Sequence, residues 1–212
     1  LPTNTDKVYT PAPGVKGVVF AAPYSKENAQ KGIDLAKDFT KDLNGLTLAG
    51  TSVLVNLGGL SDAGIVNAEA RDHQKVKDFS GSVISTPQSD FSSTFKLDFV
   101  ESTNLDVLRL VYGVENVKPI TKGGTGADAN TVVAVQVNHT AAPLANWVFV
   151  TETIQGSKLR RQVIPKGQPI TVGDVTQVSK DIIRYEVTVE AFGFTIADGS
   201  TVHVVEYLSP DV

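Results

Sequence analysis

Residues 90–113 read D-F-S-S-T-F-K-L-D-F-V-E-S-T-N-L-D-V-L-R-L-V-Y-G, and two periodicities meet inside that stretch. In its first half Phe91, Phe95, Leu97 and Phe99 fall on one side of an extended chain, while Thr94, Lys96 and Asp98 fall on the other. That period-two alternation is the signature of a half-buried β-strand. Past Glu101 the period changes. Ser102, Thr103 and Asn104 offer N-cap oxygens, and Asp106 complements the helix dipole in the first turn. Leu105, Leu108, Val111 and Tyr112 make one apolar stripe, and Gly113 supplies a stop. The spacing predicts a strand running into a short helix at about 103–112.

Working outward, the pattern is mostly β. Strands are expected at 15–22, 51–57, 65–72, 76–85, 131–138, 146–153, 158–164, 182–194 and 201–207. The turns between them are rich in Gly and Pro, including Gly58, Gly59, Ser61, Asp62 and Gly64, then G-G-T-G at 123–126 and A-D-G-S at 197–200. Closely spaced strands with one helix indicate a mainly β fold: an antiparallel β-sandwich or barrel, one flanking helix, and extended arm and loop segments. Residues 1–14, with Pro2, Pro11, Pro13 and Gly14, read as an extended arm. Residues 15–208 read as a single domain and 209–212 as a short tail.

The segment at 25–50 leaves two readings open. It alternates Lys with Asp or Glu, and Ile33, Ala36, Phe39 and Leu43 recur near helical spacing, although Gly32 weakens a helix. It is either a solvated loop with a short helical turn or a long loop that projects onto a neighbouring subunit.

Composition narrows the chemistry. The 212 residues include no cysteine, which rules out disulfides, thiolate catalysis and Cys-based metal sites. His73, His139 and His203 are far apart, with no second His at ligand spacing. A net charge of −4 argues against a conventional nucleic-acid binder, which needs a basic stripe, and does not argue against a surface that DNA slides past, where weak repulsion is useful. No apolar run approaches the ~20 residues of a membrane span, and residues 1–14 show no basic n-region or apolar h-region. The G-G-T-G at 123–126 lacks the Lys-Ser/Thr of a phosphate loop. No G-x-S-x-G elbow accompanies Asp72 and His73, and Asp174 and Asp181 lie near turns, where Asp is common anyway. Trp147, within W-V-F-V, is expected in the core rather than on a sugar-stacking platform. Arg160 and Arg161 read as an exposed strand face or as partners for a neighbour's carboxylates. No cofactor and no catalytic activity are expected.

Several stretches, taken in order, resemble the major tail tube proteins of long-tailed (siphovirus-type) bacteriophages, particularly those of actinobacteria. G-V-V-F-A-A-P is similar to the family's first strand. V-N-L-G-G-L-S-D-A-G-I is similar to its L-G-x-x-S-x-D-G-like turn, with Ala63 where that pattern prefers Asp before the Gly. K-D-F-S-G stands where a Trp-Gly pair is common, so Phe79 replaces the aromatic. F-K-L-D-F-V-E-S-T-N-L-D-V-L-R-L-V-Y-G is the nearest match, and L-R-R-Q-V-I-P and Y-E-V-T-V-E-A-F follow. The resemblance spans most of the chain, and the 25–50 segment is longer than usual.

The resemblance implies homo-hexameric rings that stack into a hollow tube conducting the genome into the host. It implies tape-measure, tail-terminator and tail-tip proteins as partners, and genomic DNA passing through the lumen without specific binding. The location implied is the virion tail, assembled in the bacterial host cytoplasm, with no membrane insertion. A net acidic lumen would offer a polyanion no sticking points. Asn67, Glu69, Asp72, Lys75 and Asp78 are the candidate lumen residues, and Lys26, Glu27, Phe39, Arg160 and Arg161 the candidate inter-subunit residues. The N-terminal arm and the 25–50 loop would tie ring to ring. The alternative is a monomeric β-sandwich module binding a carbohydrate or an adhesin partner through an exposed aromatic platform, for which Tyr24, Tyr112 and Trp147 are available.

Overall fold

A computed structural model of the protein describes residues 8–13, 18–123 and 131–209. The start of the N-terminal arm, residues 14–17, the Gly-rich turn from 124 and the last three residues lie outside the described residues. In chain order the elements are β1 (Ala12–Pro13), β2 (Val19–Pro23), α1 (Lys26–Ala36), β3 (Val55–Asn56), β4 (Leu60–His73), β5 (Val76–Lys77), β6 (Val83–Ser85) and β7 (Gln88–Phe99). Then come α2 (Leu105–Tyr112), a 3-10 turn (Val114–Asn116), β8 (Val117–Thr121), β9 (Val132–Val137), β10 (Trp147–Gln155) and β11 (Lys158–Val172). β12 (Tyr185–Ala191), β13 (Phe194–Thr195), β14 (Thr201–Val202) and β15 (Val205–Leu208) complete the chain.

The main sheet has nine antiparallel strands in the order β3-β2-β10-β11-β12-β7-β4, with β1 added on β10 and β15 on β11. The expected mainly β, antiparallel sandwich with a flanking helix is what the chain forms. α2 is the predicted helix: the Asn104 side-chain oxygen accepts from the Asp106 N–H at 3.0 Å, and Gly113 ends the helix at φ 94°. Alternation within β7 and β12 buries Phe95, Leu97, Phe99, Val187 and Val189 against Val107, Leu110 and Val111 of α2. Each such side chain taken from water contributes about 1.5–3 kcal/mol.

β11 departs from expectation. Pro165 argues for a strand ending at Ile164, yet the strand runs on to Val172 through Pro165 and Pro169. Register shifts near both prolines account for this, since a bulge needs no ladder donor at that position. The long strand carries β15 and then β12 along one edge, joining the two halves of the sheet.

The 25–50 segment is neither a solvated loop nor a projecting one. Ser25 caps an eleven-residue helix by accepting from the Asn28 N–H at 3.0 Å. Ala29, Ile33 and Ala36 pack into a second core with Phe20, Val148, Val150 and Val163. Gly32, which weakens the helix in isolation, is the point of closest approach: a Cβ there would stand 3.1 Å from Val148. Buried Asn28 donates to the Pro23 carbonyl at 2.8 Å and accepts from the Ala49 N–H at 3.0 Å, fastening the helix to both flanks. The described end of the N-terminal arm is also held by its own chain. Ala12 and Pro13 pair with Ile154 and Thr153, and the Tyr9 hydroxyl donates to Thr153 at 3.1 Å.

What does project is the hairpin of β4 and β7. The strands expected at 65–72 and 76–85 are a single strand, Leu60–His73, followed by a short β5–β6 ladder at the tip. Residues 66–90 are exposed without interruption. At roughly 3.3 Å per residue, 66–79 can reach about 45 Å. Where this arm leaves the body, the Phe91 ring is held between the Arg71 guanidinium at 4.8 Å and the His203 ring at 4.7 Å.

Candidate functional site

Strand period puts every second side chain of β7 and β12 on the sheet face turned away from α2. Register aligns Asp98 with Glu186, Lys96 with Thr188 and Thr94 with Glu190. On the other side of β7, Val66 lies opposite Lys96, Ala68 opposite Thr94, Ala70 opposite Ser92, and Asp72 opposite Asp90. The result is a polar face across β7 and β12, bordered on β4 by Val66, Ala68 and Ala70 before Asp72 is reached on the arm. Its carboxylates are Asp72, Asp90, Asp98, Glu186 and Glu190, and Lys96 is the cation among them.

Neither helix covers this face, because α1 packs on β10 and β11 and α2 packs in the opposite core. Charge compensation on it is weak. Lys96 Nζ stands 3.8 Å from Glu186, and Arg184 stands 3.8 Å from Asp98. Arg184 is held more closely by Asp181, at 3.1 Å, and that guanidinium, with the Ile182 N–H, holds the Asp181 carboxyl below its ordinary range. Like charges directly opposite on neighbouring strands, as at Asp98/Glu186 and Asp72/Asp90, destabilise an isolated sheet.

The residues expected to line a lumen do not share a face. Asp72 lies on the acidic face. Asn67 and Glu69 lie on the other side of β4, opposite Phe95 and Ser93, and Glu69 pairs with Arg71 at 3.2 Å. Lys75 follows the strand, and Asp78 organises the arm's tip. The Asp78 carboxylate accepts from the Ser80 hydroxyl at 2.6 Å and from the N–H groups of Ser82 at 2.8 Å and Ser80 at 2.9 Å. These hydrogen bonds lower its pKa below 3.8 and leave the Phe79 ring fully in solvent at 110% relative exposure. Besides Asp90 at the arm, the carboxylates of the acidic face that the sequence reading did not name as candidates are Asp98, Glu186 and Glu190. Their signal was present in T-F-K-L-D-F and Y-E-V-T-V-E-A, where alternation already separates a buried face from a charged one.

The inter-subunit candidates also separate. Lys26 and Glu27 are exposed on the first turn of α1, whereas Phe39 is half-buried beneath Arg161, whose guanidinium lies 5.2 Å from its ring. Arg160 donates to Glu206 of its own chain at 2.9 Å. Arg161, expected on an exposed strand face, is buried at 2% exposure. It donates to Glu152 at 2.7 Å and to the carbonyls of Asp38 at 2.8 Å and Lys41 at 2.7 Å. Its hydrogen-bonding capacity is therefore spent within its own chain, fastening the segment after α1 to the sheet.

No group of three or more potential metal ligands occurs among the described residues, and no helix is long and apolar enough to cross a membrane. Of the chain's aromatic side chains, Trp147 and Tyr185 are buried, Tyr24 and Tyr112 are half-buried, and Phe79 is the one that stands exposed. No protein-family model matches this chain, and no curated protein does.

Proposed function

We propose that this protein is the structural subunit of a phage tail tube, with copies closing into hexameric rings that stack around a DNA conduit. The observation that carries the reading is the uncovered acidic face of β7 and β12. A sheet with one face packed and the other lined by Thr94, Asp98, Glu186, Thr188 and Glu190 has the chemistry of a wall past which a polyanion moves without adhering. Lys96, paired across to Glu186, adds no free cation. The wall would form when β-edges left open in one protomer are closed by its neighbours. Contacts that close laterally give rings, and contacts that do not close give filaments. On this reading the partners are copies of the chain, a tape-measure protein within the tube, terminator and tip proteins at its ends, and transiting DNA. Its place is the virion tail.

The test is electron microscopy of the purified protein over rising concentration, with size-exclusion mass alongside. Rings or tubes with a central hole are the expected result. Glu186→Lys with Glu190→Lys should then leave rings intact and slow DNA passage. Unchanged ejection kinetics would remove the role assigned to the acidic face. A chain that stays monomeric with tail tips supplied would turn attention to the monomeric binding module.

A further inference from the structure

Asn44 and Gly45 form the only Asn-Gly pair in the chain. Such a pair is chemically labile, because a glycine has no side chain to keep its nitrogen from the preceding carboxamide. Here the pair sits at the centre of a turn closed by the Leu46 N–H on the Leu43 carbonyl at 3.2 Å, and both residues are exposed. Gly45 takes φ 70°, the left-handed value that such a turn can require at its third residue. What holds the turn shut lies on either side of it. The Gly45 N–H donates to the Leu54 carbonyl at 3.0 Å, and the Leu54 N–H donates to the Leu46 carbonyl at 2.9 Å. Leu43 and Leu54 are buried, and the Arg161 guanidinium grips the carbonyls of Asp38 and Lys41 just upstream. Residues 38–54 are therefore a strap, fastened by Arg161 on one side of the Asn-Gly turn and by Leu54 on the other.

We propose that Asn44 is a site of spontaneous deamidation and that opening of this strap gates the reaction. Water is the only co-reactant. The Gly45 nitrogen gives up its proton and bonds to Asn44 Cγ; the bond from Cγ to Nδ2 breaks, and ammonia leaves with that proton. Water then opens the cyclic imide, at Cγ to leave aspartate or at the main-chain carbonyl to leave isoaspartate. The proton that must depart is the one held by the Leu54 carbonyl, so the closed turn withholds the nucleophile. Local opening releases it and restores the mobility that ring closure needs. The product carries one more negative charge, and the isoaspartate form also lengthens the main chain between Leu43 and Leu46. The original turn cannot re-form across that longer link, so the modification is a permanent record of strap opening.

The test is to incubate the full chain at neutral pH, folded and in urea, and to follow the tryptic peptide 42–71 by mass spectrometry, with fragmentation to separate Asn44 from Asn56 and Asn67. Asn44 of the folded chain should deamidate at least about tenfold more slowly than Asn44 of the unfolded one. Arg161→Met combined with Glu152→Leu removes the clamp without stranding its carboxylate. That variant should speed the folded-state reaction about fivefold, the worth of the two carbonyl hydrogen bonds. Hydrogen exchange of the Phe149 amide, in a fully buried strand, reports global unfolding alongside. A gain at Asn44 larger than the gain at Phe149 supports the strap as the gate. Equal gains would make global unfolding the route and overturn it. Folded-state deamidation as fast as in urea, or a rate indifferent to the loss of the clamp, would overturn it as well.

Discussion

Replacing Arg161 by Met removes the one charged side chain among the described residues that lies almost wholly inside this fold. The guanidinium is 2% exposed and its partner Glu152 has a side chain 13% exposed, so the variant leaves a carboxylate with little water and no cation. Breaking a buried pair from one side costs about 3–5 kcal/mol, because the stranded charge keeps its desolvation penalty. The carbonyls of Asp38 and Lys41 belong to a partly exposed segment and can recover hydrogen bonds from water, so they add little to that figure. Urea unfolding at neutral pH should show a lowered midpoint with an unchanged slope. Hydrogen exchange should quicken in residues 38–43, where the clamp is lost. Changing Glu152→Leu in the same chain should recover at least about 1 kcal/mol, since removing both charges is often nearly neutral. Arg161→Lys should fall between wild type and Met, because an ammonium lacks the planar fork that serves three acceptors at once. A loss below about 1 kcal/mol for Arg161→Met, or a double variant as unstable as the single, would refute this account.

Two further outcomes are expected. Gly167→Ala should lower stability by about 1–3 kcal/mol in calorimetry, because its Cβ would stand 2.8 Å from Val189 and 3.0 Å from the Phe149 ring, both fully buried; a neutral result would mean that β11 lies farther from its neighbours than described. The tip turn should loosen only in acid. The Asp78 pKa is depressed below 3.8 by the Ser80 hydroxyl and by the Ser82 and Ser80 N–H groups, so its stabilisation is present above 3.8 and lost as pH falls through the folded value. Amide resonances of Ser80 and Ser82 should therefore shift at a pH below the ordinary aspartate range, and a midpoint within or above that range would contradict those hydrogen bonds.

By itself the sequence determined the β class, the α2 helix and the two-faced character of β7 and β12. Each of these is written in local spacing: period two in T-F-K-L-D-F, period 3.6 after Asn104, and a glycine at the helix end. Local spacing also separates the buried from the charged face of those strands, and so contained the acidic surface before any strand was paired. Which strand joins which is a different kind of fact. The placing of Asp72 opposite Asp90 depends on register, whereas the parting of Asn67 and Glu69 from Asp72 follows from odd–even spacing once Leu60–His73 is known to be one strand. Tertiary packing alone decided the 25–50 segment. Its helix is weak in isolation, with Gly32 in its middle, and it forms because Ala29, Ile33 and Ala36 are buried against Phe20, Val148, Val150 and Val163, with Gly32 at the closest approach to Val148. Arg161 shows the same division. Its neighbours in sequence read as an exposed basic strand, whereas its actual partners are Glu152 across one ladder and two carbonyls some 120 positions earlier in the chain. Burial of a charge is settled by what folds over it, and no local pattern records that.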